Sequence, residues 1–139
     1  MDAVLAHWDV PPLPQFKNML RLAALHSTHM AAKLAALFVT LLINIAAGIA
    51  IFFFLLLTMN GYGESDATWG LGAYLVLGIL VSLSMSAGAY FAVQLMIKRN
   101  FNAAVAALIA IPIFSIIGAG LKIICSFIGI LISEYVRTH

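Results

Sequence analysis

Residues 34–59, LAALFVTLLINIAAGIAIFFFLLLTM, run for 26 positions without a charged side chain. At a rise of 1.5 Å per residue an α-helix of this length covers about 39 Å, more than the roughly 30 Å of hydrocarbon in a bilayer. Thr40, Asn44, Gly48 and Thr58 are the only interruptions, so the stretch reads as a spanning helix long enough to cross with tilt. Composition supports the same solvent for the whole chain: of 139 residues 64% are hydrophobic and 9% charged, against about 45–50% and about 25% in soluble domains. A chain this small cannot hide that much apolar surface from water.

Working outward from the first span, Asn60 to Gly70 carries Asn60-Gly61, Gly63, Glu64, Ser65 and Asp66, which is polar turn chemistry. Tyr62, Trp69 and Tyr74 flank it as an interfacial aromatic belt would. Leu71 to Ile97 forms a second apolar run that ends at the basic turn Lys98-Arg99-Asn100. A third run opens at Ala103 and reaches Ser133, with Pro112, Gly118-Ala119-Gly120 and Lys122 inside it. Its length exceeds one ordinary span and falls short of two, so residues 103–121 are expected to cross. The remainder is expected as a C-terminal helical extension that leaves the bilayer against a partner or bends at the glycines into the interface.

Upstream, residues 15–33 show helical periodicity, with Phe16, Met19, Leu20, Ala23 and Met30 on one face and Lys17, Arg21, Thr28, His29 and Lys33 on the other. Leu22 and Leu25 intrude into the polar side. Such a basic amphipathic helix is expected in the headgroup plane. Residues 1–14, with Pro11, Pro12 and Pro14, read as an extended N-terminal tail with no basic leader-like segment. The expected fold is thus all-α: a polytopic membrane protein with three transmembrane helices at about 34–59, 71–97 and 103–121, preceded by an N-terminal amphipathic interfacial helix.

Basic residues in short loops are retained on the cytoplasmic side. Lys17, Arg21 and Lys33 precede the first span and Lys98 and Arg99 follow the second, whereas the loop between those spans has none. The N-terminus is therefore expected in the cytoplasm, in a bacterial cytoplasmic or an organellar membrane. Arg137 and Lys122 run against this pattern.

The strongest local pattern is a packing surface. Gly78, Ser82 and Ser86 recur every four residues on the second span, with Ser84 and Gly88 in a parallel row. In lipid, small side chains let helix backbones approach and gain van der Waals contact. Asn44 in the first span is suited to an interhelical hydrogen bond. Lys122 has three readings: snorkelling to the outer interface, pairing with a carboxylate of another subunit, or holding an anion or substrate. His26 and His29, three residues apart, could share a metal or supply an axial haem ligand.

Absences narrow the function. Residues 67–133 and 10–63 contain no Asp or Glu, which removes the carboxylates that proton-coupled transport and hard-metal sites use. Cys125 is the single cysteine, and no phosphate-cradling glycine motif or zinc-ligand cluster occurs. No clustered basic footprint for nucleic acid is present. The expectation is a non-catalytic integral-membrane subunit of a larger complex, with the bilayer and other membrane subunits as partners and no cofactor or metal. A small homo-oligomeric channel or carrier, its Ser and Gly row facing water, is the alternative, and a haem-binding anchor using His26 or His29 is a third.

Overall fold

The computed structural model describes residues 13–138, with side chains from Gln15 onward. The described residues form three α-helices, α1 (Leu13–Thr58), α2 (Glu64–Lys98) and α3 (Ala103–Thr138). All three are long and apolar enough to cross a membrane.

Two short turns make neighbouring helices antiparallel. After α1, Gly61 adopts φ +111°, a conformation that L side chains rarely take, and the Tyr62 amide donates to the Met59 carbonyl at 3.1 Å. Between α2 and α3, Asn100 takes φ 64°, the left-handed region in which Asn is enriched. The Asn100 amide donates to the Ile97 carbonyl at 3.0 Å. Asn102 then starts α3, its side-chain oxygen accepting the Ala104 amide at 2.9 Å.

The bundle is built inside out relative to a soluble protein. Phe53, Phe54, Leu57, Leu108 and Ile116 point outward, with Leu57 75% exposed. The interior holds small and polar residues instead. Near the α2–α3 turn, Ala36, Val93, Ala106, Ala107 and Ala110 pack together; at the opposite end, Leu55, Met59, Tyr74 and Cys125 do so. In a bilayer, lipid would solvate the large apolar side chains, and close contact between the small ones would draw the helices together.

Three boundaries differ from the sequence expectations. The expected interfacial segment 15–33 and the first span form one continuous helix, because nothing between Gln15 and Ala47 breaks it: the stretch has no Gly or Pro. The helix already includes Leu13 and Pro14, where the first turn tolerates proline, while residues 1–12 of the expected tail lie outside the described residues. The second helix starts at Glu64 rather than Leu71, with Thr68 Oγ1 donating to the Glu64 carbonyl at 2.7 Å in its first turn. The third difference concerns α3, which passes Lys122 and the glycines without a break and packs on its own chain as far as Ser133. Gly129 meets Gly70, and Ser133 Oγ donates to the Asp66 carbonyl at 2.8 Å. Residues 123–133 therefore find in α2 of the same chain the surface that was expected on another subunit.

Candidate functional site: a polar cluster inside the bundle

Each helix contributes one row of small and polar side chains to a common interior. From α1 come Thr40, Asn44 and Gly48, at four-residue spacing, the first two fully buried. From α2 come Tyr74, Gly78, Ser82 and Ser86, again four apart. Ser115, Gly118 and Lys122 come from α3, at spacings of three and four. These intervals keep a row on one helical face, so three sequence-local patterns converge once the turns bring the helices together.

Lys122 is the centre of the cluster. It is 1% exposed, and its Nζ donates to the main-chain carbonyl of Asn44. Gly48, one turn further along α1, makes the room: a Cβ there would stand 3.1 Å from Nζ. Tyr74 crosses from α2 and donates its hydroxyl to the Gly48 carbonyl at 2.8 Å, while its ring stacks on Phe52 at a centroid distance of 6.2 Å. Two α1 carbonyls in succession thus receive donors from two other helices.

The Asn44 side chain is wedged over Gly118, occupying the space that a side chain at that position would need. Its Nδ2 donates to the Thr40 carbonyl at 2.9 Å, but Oδ1 is buried without a hydrogen-bond partner. Thr40 Oγ1 and Ser115 Oγ are in the same condition. Buried polar atoms of this kind are uncommon and costly in apolar surroundings.

A cavity of about 170 Å³ adjoins the cluster, lined by Gly48 and Phe52 of α1, Tyr74, Gly78 and Ser82 of α2, and Lys122. Ile45, Ile49, Leu75 and Ile79 complete its wall. These four side chains are 43–59% exposed, so they form a rim on the outer surface between α1 and α2.

The structure corrects two placements read from sequence. Lys122 does not snorkel to an interface, because Gly48 admits its head into the bundle and an α1 carbonyl accepts from it. Tyr74 is not a belt residue: at 2% exposure it fills the bundle opposite Gly48, whereas Trp69 is 66% exposed. Of the α2 rows, Gly78, Ser82 and Ser86 face inward, and both hydroxyls donate to carbonyls of their own helix, Ser82 to Gly78 at 2.8 Å and Ser86 to Ser82 at 2.6 Å. The parallel row does not hold together, since Ser84 is exposed while Gly88 packs under the Phe114 ring.

No protein-family model, curated protein or solved structure matches the chain. Its functional reading rests on the geometry.

His26 and His29 lie apart from the cluster. His26 is exposed on α1, and His29 lines a groove with Thr28, Phe101 and Asn102 beside the α2–α3 turn. Among the described residues no group of three or more His, Cys, Asp or Glu comes together. Sequence reasoning missed Thr40, Gly48, Ser115 and Gly118 as site residues, although their spacing relative to Asn44 and Lys122 was the available signal.

Proposed function

We propose that this chain is a non-catalytic integral-membrane subunit of a larger assembly and that the N-terminal part of α1 is its docking arm. The observation that carries this reading is the length of α1. A continuous helix of 46 residues extends about 69 Å, against roughly 40–45 Å for a bilayer with its headgroups. Gln15–Thr28 are exposed throughout, including Phe16, Met19, Leu20, Leu22 and Leu25 at 52–66%. Apolar side chains on a segment projecting from the bilayer require cover, and another protein chain supplies it. A helix lying flat in the headgroup plane, the other way to cover them, requires a break near Lys33, where the helix has none.

The distribution of charge suggests an orientation. Lys33, Lys98 and Arg99 gather at the end of the bundle from which the arm projects, and Glu64, Asp66 and Glu134 with Arg137 at the other. By the positive-inside tendency the arm faces the cytoplasm of a bacterial cell or its organellar equivalent. The channel alternative receives no support from the small-residue row, because the Ser82 and Ser86 hydroxyls are bonded within α2 rather than turned to a water path.

Photoreactive amino acids placed at Phe16, Met19 and Leu20 test the arm in intact membranes. Adducts to another polypeptide are the expected result, and adducts to lipid alone overturn it. A Soret band in the purified chain would replace this reading by the haem anchor.

A further inference from the structure

The cleft between α1 and α2 combines three features that no packing role requires: a buried lysine head, an open lateral mouth and an apolar wall. Lys122 Nζ carries three donors as an ammonium, and the Asn44 carbonyl accepts one of them. Among the described residues no carboxylate forms an ion pair with Lys122. The nearest acid along α3 is Glu134, twelve residues on, or about 18 Å at helical rise. An unpaired ammonium in such surroundings is unfavourable by several kcal/mol or more, so an acid that delivers proton and carboxylate together gains most of what pairing offers. The mouth opens among exposed apolar side chains, since Phe53 and Leu56 continue that surface on its Thr58 side.

We propose that this cleft binds the carboxyl group of a fatty acid, with Lys122 as its ion-pair partner and the acyl chain leaving between Ile45 and Ile49 of α1 and Leu75 and Ile79 of α2. Charge and shape both select this class. One cation matches one negative charge, and the two remaining N–H donors match the two oxygens of a carboxylate. The cleft, about 170 Å³ in volume and open at its Ile and Leu rim, admits a carboxyl group with its first methylenes. A headgroup phosphate keeps its charge and stays at the bilayer surface, whereas a fatty acid enters hydrocarbon in its uncharged form. At the cleft the proton passes from the carboxyl oxygen to an uncharged Nζ, leaving carboxylate and ammonium together with no net charge created. A carboxylate on a partner helix fits less well. The Ile and Leu rim holds a second backbone away from Nζ, and a Glu stem is short, while an acyl chain has no such limit.

The test uses the full chain, alone, in phosphatidylcholine nanodiscs, with palmitic acid carrying a mid-chain diazirine as the probe. Photolysis is expected to place adducts on the Ile45, Ile49, Leu75 or Ile79 side of the cleft. Unlabelled palmitic acid should compete and methyl palmitate, which lacks the charge, should compete at least tenfold less well. Lys122→Met keeps the stem length and should weaken labelling at least tenfold. Because that variant touches the bundle interior, Ile79→Trp, at an exposed rim position, provides a second arm and should also reduce labelling severalfold. Equal competition by methyl palmitate or by phosphatidic acid, full labelling of both variants, or adducts confined to other surfaces would each overturn the assignment.

Discussion

Gly70 on α2 and Gly129 on α3 meet backbone to backbone: a Cβ added to Gly129 would lie 2.8 Å from the Gly70 carbonyl oxygen, and one added to Gly70 would strike the Gly129 carbonyl and the Ser133 hydroxyl. Neither backbone can step aside without separating the helices along their length. Gly70→Ala and Gly129→Ala are therefore expected to destabilise the bundle by about 1–3 kcal/mol, the range for overpacking a close contact. Gly72→Ala is the control, because nothing lies within 4 Å of its added methyl, and it should be neutral or slightly stabilising through helix propensity. Unfolding in mixed detergent micelles measures all three, and equal stability of Gly70→Ala and Gly72→Ala would remove the backbone contact from the explanation.

Asn44 and Gly118 should be energetically coupled. Gly118→Ala drives the carboxamide from its seat and should lower stability, whereas Asn44→Ala gives up only the bond to the Thr40 carbonyl. In the double variant the added methyl finds the space the amide has left, so a coupling energy of about 0.5–3 kcal/mol is expected from a double-mutant cycle. Simple additivity is the outcome that would falsify the wedge.

Ser133 and Ser126 separate interhelical from local hydrogen bonding. Ser133 Oγ reaches the Asp66 carbonyl on α2, while Ser126 Oγ bonds at 2.7 Å to the Ile123 carbonyl of its own helix. Ser133→Ala should be destabilising by about 0.6 kcal/mol, the average for hydrogen bonds between membrane helices, and by no more than about 1.7 kcal/mol. Ser126→Ala should be close to zero. The reverse order in a thermal or denaturant titration argues against the contact between the two helix ends.

Topology is accessible to thiol labelling in a Cys125→Ser background. Ser65 and Asn100 are exposed and lie at opposite ends of the bundle. An impermeant maleimide added outside should modify Ser65→Cys and not Asn100→Cys. Modification of Asn100→Cys alone inverts the proposed orientation, and modification of both from one side contradicts the single crossing by α2 between them.

Much of this fold was legible because long apolar runs and the polar turns between them follow simple rules. The uncharged run at 34–59, the Asn60-Gly61 turn and the Lys98-Arg99-Asn100 turn each announce themselves by composition, and three helices follow from them. What escaped was continuity. A change from amphipathic to fully apolar sequence at Lys33 looks like a boundary, yet a helix stops only where its backbone is broken, and no Gly or Pro stands there. Lys122 misled in the same way, since a charge marks the end of a span only if it reaches water. Its destination depended on Gly48, 74 residues earlier in the chain, and on a carbonyl that no side-chain pattern reveals. The small residues that follow it, Gly129 and Ser133, were the available hint that the packed face continued.

The bond between Lys122 and Asn44 joins residues 78 positions apart in sequence, and this separation sets a schedule during biosynthesis. Ribosomes add about 5–20 residues per second, so roughly 4–16 s separate the polymerisation of Asn44 from that of Lys122, its partner on α3. Throughout that interval the Asn44 carboxamide has neither Gly118 beneath it nor Lys122 beside its carbonyl. Until the third helix arrives that carboxamide keeps only its own-helix bond to the Thr40 carbonyl, so the interior face of α1 is the part of the molecule whose packing waits longest on the rest of the chain.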